Sequence, residues 1–358
     1  MKNISAKIKI LAKRWFIDGF SGMALGLFCT LLIGLIIKQV GTLIGGVIGS
    51  TLYDLGVVAS ALMGAGIGAG VARSLKADRL LLFSAIVAGM MGAQANAFLS
   101  GTLISGSAVT ITSGEPVGAF VASVIAIEIG FLVAGKTKVD IIVVPFVTLV
   151  TALIVTWTIC PGIIAGMNWL GEAIQLATTL QPLLMGVVLA VVIGCLLTLP
   201  ISSAAICISL KLGGIAGGAA VVGCACQMIG FAVMSYRENK FGGLIAQGLG
   251  TSMLQISNIF KKPVIALPPI IASAICGPLA TMLFSLSCDY AGAGMGTCGL
   301  VGVFSVVTGS AGTISATSMW IGIALLMFIL PAVICLLISE IFRKKGIIEF
   351  GDLALDLK

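Results

Sequence analysis

From Ile321 to Ile338 the chain carries no charged side chain, and the same is true from Leu25 to Ile37. Such stretches are apolar on every face, so they fit neither a half-solvated helix nor a barrel strand that alternates polar and apolar residues. A hydrocarbon core about 30 Å thick needs roughly 20 mainly apolar residues per helical crossing, and candidates of that kind recur along the chain. Overall 59% of residues are apolar and 9% are charged, against roughly 25% charged in an ordinary soluble domain. Backbone amides in lipid must be satisfied within the spanning segment, so the expected fold is all-α, a polytopic transmembrane helical protein.

Hydropathy places ten crossings, at about residues 16–37, 55–72, 80–99, 116–134, 139–159, 182–208, 213–235, 241–260, 263–287 and 317–340. With the first loop inside, the alternation leaves only Lys38, Arg237 and Lys240 outside, a strong positive-inside bias that predicts two cytoplasmic termini. The basic segment 1–15 is read as cytoplasmic and residues 341–358 as a cytoplasmic tail, flanking one membrane-embedded domain over 1–358. No small-residue cleavage site follows the basic N-terminus, so the first span is read as retained.

Two segments, 96–115 and 290–315, are too rich in Ser, Thr and Gly for lipid-facing helices. Irregular backbone at membrane depth survives only against protein or a wet cavity, so these are candidate re-entrant or broken segments, with ordinary external loops as the alternative. Residues 161–181, with Trp169 beside polar positions, read as an amphipathic helix along the interface. Glycines at 64, 66, 68, 70 and at 213, 214, 217, 218 predict close helix packing.

The net charge of +7 comes from scattered basic residues, which orient loops rather than bind nucleic acid. The ten cysteines lie mostly in apolar runs and imply no disulfides, and a chain without histidine offers no metal site. Nucleotide-binding and serine-hydrolase signatures are absent, so no cofactor and no catalytic residue is expected, and any energy for transport comes from outside the chain or from an ion gradient.

An ionisable or amide group at membrane depth is costly and needs a reason to be there. Glu115 precedes Pro116, which must begin a helix; it is either a ligand at the mouth of a broken segment or a solvated loop carboxylate. Gln227 is followed by Tyr236, Arg237, Glu238 and Asn239, where adjacent Arg and Glu allow mutual neutralisation and Asn supplies directional hydrogen bonds. Gln247, Thr251, Gln255 and Asn258 recur at helical spacing and form one polar stripe, suited to a neutral hydroxylated solute or to inter-helix bonds. Ser202 and Ser203 follow a proline break at Pro200. Glu128 stands alone in an apolar run, either paired with another helix or carrying a coupling proton.

RWFIDGFSGMALGLF near the start, GEPVGAF at 114–120, KTKVDIIVVP at 136–145, LTLPISSAAI at 197–206, GFAVMSYREN at 230–239, GGLIAQGLGTSMLQ at 242–255 and GAGMGTCGLVG at 292–302 resemble the bacterial phosphotransferase-system enzyme IIC family, in its stand-alone second branch. The resemblance implies a homodimeric sugar permease of the bacterial inner membrane, in which a substrate-holding part moves against a dimerisation scaffold. It also implies separate cytoplasmic IIB and IIA subunits, with IIB phosphorylating the sugar as it is delivered. Glucose-type permeases carry a Gly-Ile-Thr-Glu motif and a nearby functional histidine; this chain has only GEPV at 114–117 and no histidine, so their residue roles are not carried over. The expected site is Glu115, Gln227, Arg237, Glu238, Asn239, Gln247, Thr251, Gln255, Asn258, Ser202 and Ser203, binding a sugar or polyol without covalent chemistry. A gradient-driven secondary transporter of a small organic solute, or a ligand-binding membrane regulator on the same fold, is the alternative.

Overall fold

The computed structural model describes residues 11, 14–105, 108–201, 203–290 and 292–355. Within them nearly all regular structure is helical, as the unbroken apolar runs require. The chain divides into two compact units, Met1–Gly166 and Met167–Lys358.

In the first unit α1 (Arg14–Thr42) runs through two π-helical turns. Next come α2 (Gly46–Ala61) and α3 (Met63–Ser74), bent by 51° across Leu62, and α4 (Arg79–Ala93). A short α5 (Ala95–Leu99) leads to a small antiparallel hairpin of β1 (Ile104–Ser105) and β2 (Ala108–Val109). The unit continues with α6 (Pro116–Phe131) and α7 (Asp140–Thr158); the exposed helix α8 (Cys160–Ala177) carries the junction to the second unit.

Small residues set how closely these helices approach. A Cβ placed on Gly26 falls 2.1 Å from the Gly66 carbonyl oxygen, and one on Gly68 falls 2.0 Å from that of Ala85. No side chain fits there, so α1, α3 and α4 meet backbone to backbone, which is the use predicted for the glycine series.

The second unit is built around α11 (Gly214–Met234), 83% of whose span is buried, against 28% for α7. Packed on it are α9 (Pro182–Thr198), α14 (Pro263–Leu283) and α16 (Ala316–Lys344). Between them lie α10 (Ser203–Ser209), α12 (Tyr236–Ile245), α13 (Ile256–Lys261) and α15 (Val301–Ser310). Among the described residues five helices are long and apolar enough to cross a membrane, six if α2 and α3 form one bent span, and four shorter apolar helices join them.

Three expectations change. The crossing at 241–260 is absent: Lys240 takes a left-handed φ of 52°, a π turn covers Ala246–Gly250, Thr251 is extended and a 3-10 turn covers Ser252–Gln255. Lengths of four to ten residues cannot cross 30 Å at 1.5 Å per residue. The crossing at 80–99 stops at Ala93, and beyond α5 the segment 96–115 holds a small hairpin with Ile104 and Val109 exposed. The crossing at 182–208 stops at Thr198, because Leu199 is extended ahead of Pro200, a residue that disfavours helical geometry in the one before it.

Candidate substrate site

Glu115 lies in the first unit and every other candidate in the second. It is the N-cap residue of α6 with Pro116 in the first turn; its side chain makes no cap bond, and its N–H donates to the Ala93 carbonyl at 2.9 Å. Glu128, also in the first unit, accepts from Trp15 Nε1 at 3.0 Å and pairs with Arg14 Nε at 3.2 Å, so it has a partner on another helix.

In the second unit the predicted stripe is not one helical face. Broken backbone instead folds its amides into a relay. Asn258 Nδ2 donates to Gln255 Oε1 at 2.8 Å, Gln255 Nε2 to Gln247 Oε1 at 2.9 Å, and Gln247 Nε2 to Ser235 Oγ at 2.7 Å. The second hydrogen of each amide goes to a main-chain carbonyl: Ala354 at 2.8 Å, Leu353 at 3.0 Å and Gly243 at 3.0 Å respectively. Gln247 and Gln255 are fully buried. Asn239 joins from α12, donating to Leu353 O at 2.8 Å and accepting from the Leu355 N–H at 2.8 Å. Thr251 plays a local part, its Oγ1 accepting from the Met253 N–H to cap the 3-10 turn.

Arg237 and Glu238 do not neutralise each other, because neighbours on a helix diverge. Each pairs instead with α16. Exposed Arg237 meets Glu340 at 2.8 Å, and Glu238 meets Arg343 at 2.8 Å with side chains only 1% and 9% exposed. Arg343 also donates to the Met234 carbonyl at 3.1 Å.

A second polar cluster surrounds Gln227, which is 1% exposed in the middle of α11. Where α9 ends, Thr198 Oγ1 lies 3.3 Å from Gln227 Oε1 and 2.8 Å from Ser252 Oγ, on the 3-10 turn beyond Thr251. Gln227 Nε2 is buried without a hydrogen-bond partner. An orphaned amide of this kind costs about 1–3 kcal/mol unless something polar meets it. Ser203 Oγ donates to the Gly294 carbonyl at 2.8 Å and Thr297 Oγ1 to that of Gly248 at 2.5 Å, so the glycine-rich segment before Cys298 is pinned against these breaks. Gly296, at φ 56°, lies against the Cys224 and Ala225 backbone, where an added Cβ falls 2.8 Å from it. Ser202 lies outside the described residues.

Sequence reasoning missed Thr198, Ser235, Ser252, Thr297 and Arg343. Thr198 had a usable signal, standing two residues before the helix-breaking Pro200; Arg343 is brought in by the packing of α16 against α12, through its pair with Glu238. The arrangement offers neutral donors and acceptors at the ends of broken helices, the form that binding sites take inside membrane proteins.

A family model described as Phosphotransferase system, EIIC matches residues 17–355, while no curated protein and no solved structure matches. That match covers nearly the whole chain, and this multi-pass membrane protein therefore belongs to the phosphotransferase system EIIC family.

Proposed function

We propose that the protein is the permease subunit of a phosphoenolpyruvate-dependent sugar phosphotransferase system, carrying a sugar or polyol inward for phosphorylation by a separate IIB subunit. Family membership supports the general role, with IIB and IIA as partners. The observation that carries the location of the site is the orphaned Gln227 Nε2 beside Thr198 and Ser252. These groups are uncharged, so a hydroxylated neutral solute meets them without a counter-ion, and a sugar hydroxyl both accepts from Gln227 and donates to a threonine or serine oxygen.

In this reading the second unit holds the solute, the first is the scaffold of a homodimer, and both termini face the cytoplasm of a bacterial cell. Carriage is by binding and reorientation alone; phosphoryl chemistry belongs to IIB. The test is uptake of radiolabelled hexoses and hexitols in cells carrying the protein with its IIB and IIA subunits. Gln227→Leu is expected to cut uptake at sub-saturating solute about tenfold while leaving the amount of folded protein unchanged, and full uptake in that variant removes the site assignment. Uptake must also stop when phosphoenolpyruvate-dependent phosphorylation is blocked. Uptake that instead survives this block and collapses with an uncoupler supports the gradient-driven alternative.

A further inference from the structure

The relay of Gln247, Gln255 and Asn258 is closed by the chain's own C-terminal segment. At the end of α16 the chain reverses through a Schellman turn: Gly346, at φ 67°, donates to Arg343 O at 3.0 Å, and the Ile347 N–H donates to Phe342 O at 2.8 Å. Residues 347–355 then run back over α12 and α13 without forming a helix or strand. They are held at three points. Leu353 and Ile348 are buried. Asp352 meets Lys262 Nζ at 2.6 Å and accepts from the Glu349 N–H at 2.7 Å. The Gly351 N–H points at Glu238 Oε1, at 3.4 Å, on the Arg343 pair.

The bonds between this segment and the relay are made by main-chain groups on one side and side-chain amides on the other. Leu353 O takes both Gln255 and Asn239, Ala354 O takes Asn258, and the Leu355 N–H reaches Asn239. Peptide groups here present to the amides the same mixture of neutral acceptors and donors that water or a hydroxylated solute presents. Exchanging the segment for water therefore leaves every one of these bonds replaceable. Buried Leu353 and the Lys262–Asp352 clamp are what oppose that exchange.

We propose that residues 346–355 are a strap that seals the amide relay against water and opens and closes as a unit, controlling access from this end to the polar groups on the broken segment 246–258. The inference goes beyond the permease reading and does not depend on which solute is carried.

Backbone hydrogen exchange on the purified full chain tests it, comparing segments 347–355 and 243–258 with α11 as the internal reference. Leu353→Asp drives a carboxylate out of an apolar contact, and Asp352→Asn removes the clamp. In Leu353→Asp both segments are expected to exchange at least tenfold faster, in step, with α11 unchanged. Asp352→Asn is expected to give a smaller acceleration in the same two segments, which the exchanged pair Lys262→Asp with Asp352→Lys reverses in part, restoring the ion pair but not the bond from the Glu349 N–H. Protection retained at 243–258 while 347–355 exchanges freely overturns the seal. Acceleration that spreads to α11 overturns it as well, since the segment is then part of the core rather than a strap. Because exchange needs no solute, a failure here is distinguishable from a failure of sugar uptake.

Discussion

The buried hydroxyls of the first unit and the buried amides of the second are satisfied in different ways. In the first, Ser60, Ser84, Ser123, Thr148 and Thr156 each donate to a carbonyl four residues back on their own helix. These hydroxyls are paired within their own helices, and close backbone contact joins α1, α3 and α4, with the partly exposed Arg14–Glu128 pair as a side-chain link between α1 and α6. In the second, Gln227, Gln247, Gln255, Asn239 and Asn258 each also reach a partner on another segment, and one amide nitrogen finds none. A helix that is self-sufficient can pack rigidly; segments that depend on one another for hydrogen bonds can exchange those bonds for a ligand or for water. This contrast supports the proposal that the second unit holds the solute and the first serves as the scaffold.

Ion pairs sharpen the contrast most. Breaking the enclosed Glu238–Arg343 pair with Arg343→Met strands a buried carboxylate and is expected to cost about 3–5 kcal/mol. The Arg14–Glu128 pair of the first unit, with side chains 33% and 20% exposed, is expected to lose only about 0–1 kcal/mol in Arg14→Met. Thermal unfolding in detergent separates the two, and equal losses break the comparison.

Glycine contacts are where the units should agree. An added Cβ meets backbone at 2.1 Å for Gly26 and at 1.9 Å for Gly223, against the Ala190 carbonyl. Gly26→Ala and Gly223→Ala are each expected to destabilise by about 1–3 kcal/mol through forced helix separation. A neutral result at either position shows that those helices can part freely.

Gln227→Leu is expected to change stability by less than about 1 kcal/mol, because an unpaired donor leaves together with one long hydrogen bond. Its solute affinity should nevertheless fall about tenfold, equivalent to about 1.4 kcal/mol. Thermal unfolding checks the first half of that expectation, and equilibrium binding of the transported sugar to purified protein checks the second.

The smallest effect concerns acid. Partial burial pushes the Asp352 carboxyl up, but the Lys262 ammonium, the Glu349 N–H and the nearby Arg343 charge outweigh it and hold the group below the ordinary carboxylate range. A lowered folded-state value means the clamp contributes fully above the unfolded carboxylate pKa of about 3.9 and is lost as pH falls through the folded value. Exchange at 347–355, corrected for intrinsic rates, should therefore be flat above about pH 5 and accelerate only in stronger acid. Acceleration already near neutrality points to a different latch.

The pattern of legibility follows the same division. Segments 16–37, 139–159, 213–235, 263–287 and 317–340 coincide with membrane-length helices, because apolar length alone decides a crossing. The Pro116 helix start and the break ahead of Pro200 were readable from proline geometry. By contrast the periodicity of Gln247, Thr251, Gln255 and Asn258 imitated one helical face, while the chain breaks at Thr251 and uses the amides across the break. Periodicity records spacing; it is blind to a partner about a hundred residues away, such as the Leu353 carbonyl that Gln255 meets.

The amino-acid order by itself determined that this is a polytopic helical membrane protein, where its glycines would bring helices together, and that a few amides stood where lipid could not satisfy them. Those outcomes depend on apolar length, side-chain size and the missing hydrogen bonds of hydrocarbon, all of which are local properties. Only the tertiary structure decided which amides close on the C-terminal segment, that Arg237 and Glu238 pair with α16 rather than with each other, and that Gln227 keeps an open donor. Such pairings are set by which distant segments meet, and the spacing of residues along a chain does not specify that.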